Sequence, residues 1–250
     1  MSEKWVLVTG AAQRIGRAIA LELAAGGYDI AVHYNKSEKE AEKTVELVKE
    51  LQRKAQAVKA NFTAKRQTEN LIPNLVKEIG PLTALVNNAS LFMPDKAAPG
   101  GRDHKMVNLE APLILCEAFK KQIPNGKTGA IVNVLDGCMP ETGFGFYADS
   151  KKSLRVMTIE MARRAAPDVR VNGVALGPVL AAAKQSADHF QRLIETTLLR
   201  TQIQPQAAAQ AVRFLLDNPS ITGEIVHVDG GIRLKNTPSM MGLQKEKATA

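Results

Sequence analysis

Between residues 5 and 229 the chain alternates short apolar runs with longer amphipathic ones, and this rhythm restricts the fold more than any other feature. WVLV (5–8), YDIAVHY (28–34), QAVKANF (56–62), TALVNNA (83–89), GAIVNVL (129–135), VRVNGVAL (169–176) and EIVHVD (224–229) read as strands. They are short, rich in Val, Ile and Ala, and apolar on both faces, as a parallel sheet covered by helices on each side requires. Helical periodicity fills the intervals 14–26, 38–53, 64–79, 104–123, 146–166 and 205–217. With no internal repeat or low-complexity linker, the pattern predicts an α/β fold. It is one doubly wound parallel sheet of about seven strands, in a single domain spanning 1–250. The segment 180–204 breaks the rhythm and is expected to act as a substrate flap. The tail 235–250 is polar and Met-containing; disorder and packing on a neighbouring subunit both fit it.

Composition narrows the class. A chain of 250 residues, 45% apolar and 23% charged, has the make-up of an ordinary globular protein with a sizeable core. No apolar run approaches the ~20 residues needed to span a membrane. The first strand begins almost at once, which leaves no room for a signal peptide. Cys116 and Cys138 are the sole cysteines, too few for a disulfide scaffold or a cysteine zinc site, so a cytoplasmic location is expected. The net charge of +8 raises the question of nucleic acid. The basic residues are dispersed, however, and aromatic residues make up 4%, poor material for stacking bases. A small-molecule enzyme with anionic ligands fits the charge better. His33, His104, His189 and His227 lack metal-ligand spacing, so no metal is expected.

The first strand runs into TGAAQRIG (9–16). Gly10 and Gly16 flank a turn in which small residues would let backbone approach a pyrophosphate, with helix N–H groups pointing at it. A two-glycine turn also occurs in ordinary strand–helix loops, and both readings stand at this point. The second strand ends in His33-Tyr34-Asn35-Lys36-Ser37, with no carboxylate before Glu38. A sheet that binds NAD usually carries Asp or Glu there to accept from the ribose 2′-OH. Lys36, Ser37 and Arg14 instead offer donors, which suit a 2′-phosphate and favour NADP(H). The alternative is a helix cap beside solvated charge.

Tyr147 and Lys151 are four residues apart and share a helix face. A phenol with a pKa of ~10 moves protons poorly at neutral pH unless its phenolate is stabilised, which a lysine one turn away is expected to do.

These motifs together resemble the short-chain dehydrogenase/reductase family over nearly the whole chain, from Val6 to Gly231. They comprise Thr9-Gly10…Gly16, Asn87-Asn88-Ala89, Asn108, Tyr147…Lys151 and Asp229-Gly230-Gly231. The resemblance implies a Rossmann-type fold, a homo-oligomer (tetramer first, then dimer) and hydride exchange with a nicotinamide. It implies Tyr147 as proton carrier, Lys151 on the nicotinamide ribose and Asn108 beside a relay water.

A finer resemblance, to the pteridine reductase branch, rests on the departures from the common pattern. Arg14 stands where most members have glycine, Asp136 follows the fifth strand in place of serine, and HYNKS is similar to that branch's 2′-phosphate segment. Asn88-Ala89-Ser90-Leu91-Phe92 matches too, with Ser90 touching cofactor and pterin and Phe92 stacking on the pterin ring. The residues themselves also allow a core phenylalanine at 92. The resemblance thus implies NADP(H) contacts from Gly10, Arg14, Ile15, Gly16, His33, Tyr34, Asn35, Lys36, Ser37, Asn61 and Phe62. Asn88, Ala89, Ser90, Tyr147, Lys151, Gly177 and Pro178 complete that set, and Ser90, Phe92, Asp136 and Tyr147 would meet substrate.

Further positions depart from the family. Asp136 lies eleven residues before Tyr147, two fewer than is usual, and Val134, at the usual distance, has no polar side chain. Asn61 replaces an adenine-contacting aspartate, and the usual Pro-Gly pair near Gly177-Pro178 is altered. The expected reaction is NADPH-dependent reduction of a dihydropterin-like C=N bond through a relay of Asp136, Tyr147 and Lys151. The rivals are a 3-oxoacyl-carrier-protein or general carbonyl reductase, and a non-catalytic NADP-binding regulator.

Overall fold

A computed structural model describes residues 4–138, 142–181 and 185–235. Seven strands form one parallel sheet in the order β3-β2-β1-β4-β5-β6-β7. They are β1 (Trp5–Val8), β2 (Asp29–Tyr34), β3 (Ala55–Lys59), β4 (Leu82–Asn87), β5 (Gly129–Asp136), β6 (Val169–Leu176) and β7 (Ile225–Val228). The helices are α1 (Arg14–Ala25), α2 (Glu38–Glu50), α3 (Lys65–Ile79), α4 (Arg102–Lys105), α5 (Ala111–Gln122), α6 (Gly145–Ala165), α7 (Ala187–Glu195) and α8 (Pro205–Asp217). The expected doubly wound sheet is the observed one.

Alternation along the strands explains the two cores. Val6, Val8, Ile30 and Val32 face α1 and α8, where Ile19, Leu23, Val212 and Leu215 are fully buried. Trp5, Leu7, Leu85 and Ile131 face the other side, against Leu71 and Leu75 of α3, Leu115 and Phe119 of α5, and Leu154 of α6. Phe119 is fully buried, and truncating it to Ala is expected to cost about 3–5 kcal/mol.

Several boundaries differ from the sequence reading. β3 stops at Lys59, so Asn61 and Phe62 lie in the loop beyond it, and β4 stops at Asn87. The expected helix 104–123 is α4 and α5 joined by a π-helical turn, Met106–Glu110. Pro112 has no N–H, so the carbonyl of Asn108 lacks its ordinary donor four residues on. Wide turns of this kind concentrate at functional sites. The 180–204 segment contains α7, opened by Ser186, whose hydroxyl accepts from the His189 N–H at 3.2 Å. Residues 236–250 of the tail lie outside the described residues. Among the described residues, no helix is long and apolar enough to cross a membrane.

Candidate active site at the carboxyl edge of the sheet

The strand order turns between β1 and β4, and their carboxyl ends hold the glycine turn and the Asn88 segment together. Thr9 Oγ1 accepts from the N–H groups of Asn88 and Ala89 at 2.9 and 3.0 Å, while Asn88 Nδ2 donates to the carbonyls of Thr9 and Gly10 at 2.8 and 3.1 Å. Gly10 has φ +63, and a Cβ there would lie 2.9 Å from Ala89 Cα. A Cβ on Gly16 would lie 2.1 Å from the Gly10 carbonyl oxygen and 2.6 Å from Asn88 Nδ2, so only glycine allows this close a turn. The turn feeds α1, whose first turn has no acidic side chain and no side-chain cap from Gln13. Orphan N–H groups without a competing carboxylate fit a bound phosphate.

The donors of the second strand divide into two sets. His33 is buried: its Nδ1 accepts from Gly10 N–H at 3.0 Å, so the neutral ring donates from Nε2 to the Ala60 carbonyl at 3.1 Å. Burial pushes it down to about 4, and it stacks on Phe62 with centroids 4.3 Å apart. Both rings therefore brace the glycine turn from beneath. Tyr34 is also buried and donates to Glu38 at 2.7 Å. Asn35 and Lys36 are exposed at the strand end, and Ser37 gives α2 no side-chain cap. Arg14 adopts φ +57 and its Nη2 donates to the carbonyls of Ala181 at 2.7 Å and Leu180 at 3.4 Å. The arginine thus ties the first turn to the segment after β6, a contact the sequence did not reveal. Asn61 uses its Oδ1 on the Thr63 N–H and hydroxyl, at 3.0 and 2.9 Å. Gly177 packs on Asp229, where a Cβ would come within 2.8 Å of Cα, and Pro178 is buried beside it.

Asp136 ends β5 and reaches Tyr147 despite the short connection. The Tyr147 hydroxyl donates to Asp136 Oδ2 at 2.5 Å, and Asp136 Oδ1 accepts from Cys138 N–H at 2.7 Å. Lys151 is buried one turn along α6 and donates to the Val134 carbonyl at 3.0 Å. The position with no polar side chain therefore contributes through its backbone.

The electrostatics correct one expectation. Burial and the Asp136 charge hold Tyr147 well above the ordinary phenol range; Lys151 does not draw it down. Asp136 is the hydroxyl's partner, and its own acid is also pushed up by burial, against the hydrogen bonds from Tyr147 and Cys138 and the charge of Lys151. Burial lowers Lys151 to about 8, opposed by Asp136. The Tyr147 hydroxyl therefore keeps its proton, next to an ammonium that gives one up more easily than an ordinary lysine.

Asn108 is fully committed to its surroundings. Its Oδ1 accepts from Leu91 N–H at 2.7 Å and Ser90 Oγ at 3.3 Å, and its Nδ2 donates to the Leu91 carbonyl at 2.9 Å and Ser150 Oγ at 3.0 Å. No bonding capacity on the side chain remains for a relay water. Ser150 in turn donates to the Tyr147 carbonyl at 2.6 Å, so Asn108 links residues 90–91, in the loop after β4, to the tyrosine's own helix.

Phe92 is 43% exposed and is not a core residue. Its ring stacks on Phe144 at 4.5 Å and stands edge-on to Tyr147 at 4.8 Å. Sequence reasoning missed Phe144 and Asp95, which lie in segments without periodicity or a matching motif, and gave His104, at the start of a helical pattern, no role. His104 is buried, accepts from Met93 N–H at 3.3 Å and sits edge-on to Tyr147 at 6.4 Å.

Comparison with known proteins agrees with this architecture. The family model described as short chain dehydrogenase matches residues 4–192. The chain is 32% identical over 241 residues to a 3-oxoacyl-acyl-carrier-protein reductase of Staphylococcus epidermidis, an alignment covering 92% of this chain and 98% of the relative. It is similar to the structure of FolM alternative dihydrofolate reductase 1 from Brucella canis complexed with NADP. There the TM-score is 0.86 and the identity 34%, covering 95% of this chain and 97% of that one. The angucycline C-6 ketoreductase LanV with bound NADP superposes with a TM-score of 0.84 at 28% identity, covering 92% and 96%. The sheet order, the glycine turn and the match over residues 4–192 agree, and the chain belongs to the short-chain dehydrogenase family.

Proposed function

We propose that this protein is an NADPH-dependent reductase of a dihydropterin-like C=N bond. The observation that carries the reading is the hydrogen bond from buried Tyr147 to half-buried Asp136, 2.5 Å long, beside the exposed ring of Phe92. Likeness to the Brucella dihydrofolate reductase, at 34% identity, supports the pterin class. The glycine turn, the uncapped start of α1, and Arg14, Lys36 and Ser37 would hold the cofactor, with Ile15, Ser90 and Asn88 around it. Bound NADPH supplies the hydride that reduces the C=N carbon.

The residues of this chain handle the proton. Tyr147 donates its hydroxyl proton to the ring nitrogen, and Asp136, whose carboxyl burial pushes up, takes a proton from solvent as substrate binds and returns it to the phenolate across the hydrogen bond. Two adjacent anions would repel strongly in this buried setting, so the second proton of the pair and the Lys151 ammonium are both needed. Reprotonation then runs from solvent by way of Lys151, one turn along α6. Phe92 gives a flat heteroaromatic ring a stacking surface.

We also place the protein in the cytoplasm as a homo-oligomer, a tetramer first. Val156 and Ile159 of α6, 66% and 41% exposed, give it an apolar face to cover, and light scattering tests the assembly.

A second reading, reduction of a 3-oxoacyl thioester, is favoured by the Staphylococcus relative at 32% identity. A panel assay separates the two: NADPH and NADH consumption with dihydrobiopterin, dihydrofolate, quinonoid dihydropterin and a β-ketoacyl thioester. Preference for NADPH and a pterin supports the first reading. Turnover confined to the thioester overturns it.

A further inference from the structure

Asp95 lies in the stretch between β4 and α4, away from the sheet, yet its carboxylate is spent on the helix that carries Tyr147. Oδ2 accepts from Gly145 N–H at 2.8 Å and Oδ1 from Phe146 N–H at 3.1 Å. These amides open α6, and like any first-turn N–H groups they have no acceptor within the helix. Phe144, at the cap position, supplies no side-chain bond of its own. A carboxylate at a helix N-terminus is also favoured by the helix dipole and by charge-assisted hydrogen bonding. Asp95 is therefore a cap delivered from fifty residues away in the chain.

Three further contacts join the same two segments. The Asp95 N–H donates to the Gly143 carbonyl at 2.8 Å. Phe92 stacks on Phe144. Gly101, at φ +65, lies so close to Phe146 that a Cβ would sit 2.5 Å from its ring. Segment 90–101 carries Ser90 and Phe92, and the residue after Phe146 is Tyr147. The wall on which a flat substrate would rest and the hydroxyl that would protonate it are thus fastened to one another by the Asp95 carboxylate together with these contacts and the Asn108 link.

We propose that Asp95 is a positioning residue that holds the Phe92 wall and Tyr147 in register, so that a stacked ring presents its nitrogen to the hydroxyl. The inference rests on the reading of Tyr147 as the proton donor. Asp95 touches neither partner of the reaction, and its effect passes through the α6 backbone. A misplacement of about 1 Å at reacting atoms costs up to ~100-fold in rate.

Two variants, Asp95→Ala and Asp95→Asn, test it against the parent. The expected result for Asp95→Ala is a kcat with dihydrobiopterin lowered about 10- to 100-fold, with the NADPH Kd, read by nicotinamide fluorescence, within about twofold of the parent. Asp95→Asn keeps one acceptor oxygen and should recover part of the loss. Parent kcat and KM in Asp95→Ala would overturn the proposal, as would equal losses of turnover and NADPH affinity in both variants. Amide hydrogen exchange gives a readout independent of turnover. Asp95→Ala should speed exchange in 90–94 as well as in 144–148, whereas acceleration confined to Gly145 and Phe146 marks a local cap and refutes the coupling. A parent with no pterin turnover but with coupled exchange would contradict the pterin reading and leave the Asp95 linkage standing.

Discussion

Replacing Lys151 with Met should abolish turnover while changing the pH dependence of folding in a calculable way. Burial lowers this ammonium from the ordinary lysine value of 10.5 to about 8. Between those values the unfolded chain binds more protons than the folded one, so this group makes stability rise with pH through the window. Below about 8 the full cost of burying the charge is present, about 3 kcal/mol at 1.36 kcal/mol per tenfold change. Methionine removes that cost but leaves the Val134 carbonyl without its donor, a penalty of about 1–3 kcal/mol that does not vary with pH. The absolute difference between parent and variant is therefore small near pH 7, while its change with pH is not. From about pH 7 to about pH 10 the parent should gain about 2–3 kcal/mol relative to Lys151→Met. Urea unfolding of both proteins at four pH values measures this, with equal m-values required for the comparison. Parallel stability curves would refute the account, because they would mean that Lys151 is not held in a setting that disfavours its charge.

Asp136→Asn keeps an acceptor for the Cys138 N–H but cannot hand a proton to Tyr147. It should lower kcat by ~10²-fold or more with little change in NADPH affinity, measured by steady-state kinetics and fluorescence titration. Arg14→Gly removes the cation and its tie to Ala181; NADPH should bind at least about tenfold more weakly while NADH changes little, and equal losses would remove the 2′-phosphate role. Gly16→Ala forces a Cβ to within 2.1 Å of the Gly10 carbonyl, so it should lower the Tm by several degrees and weaken both nucleotides alike in a thermal-shift titration.

The sheet was legible because parallel strands covered on both faces are written as plain apolar runs, and the helices between them keep a clear period. The Tyr147–Lys151 spacing was legible for the same reason, since a helix converts four residues into one face. What stayed hidden depends on contacts between distant segments. The resemblance to the pteridine reductase branch put Asp136 in a relay with Tyr147, while the short spacing left its reach open, because a loop's length does not reveal its path. His33 looked like a cofactor donor, yet its ring lies under the glycine turn with both nitrogens used by backbone. The break in the 104–123 helix had a signal in Pro112, whose missing N–H removes one rung of the ladder. Asp95 had none: its acceptors serve amides fifty residues away, and no periodicity marks such a cap.

On the proposed reading, Tyr147, backed by Asp136, protonates a pterin-like nitrogen while NADPH reduces the adjoining carbon. Its most direct test is the rate of NADPH consumption with dihydrobiopterin by the parent and by Tyr147→Phe, with NADPH affinity measured on both. The expected result is turnover by the parent, a loss of at least about 10²-fold in the variant, and unchanged NADPH binding. Equal rates from both proteins, or no pterin turnover by a parent that binds NADPH, would contradict it.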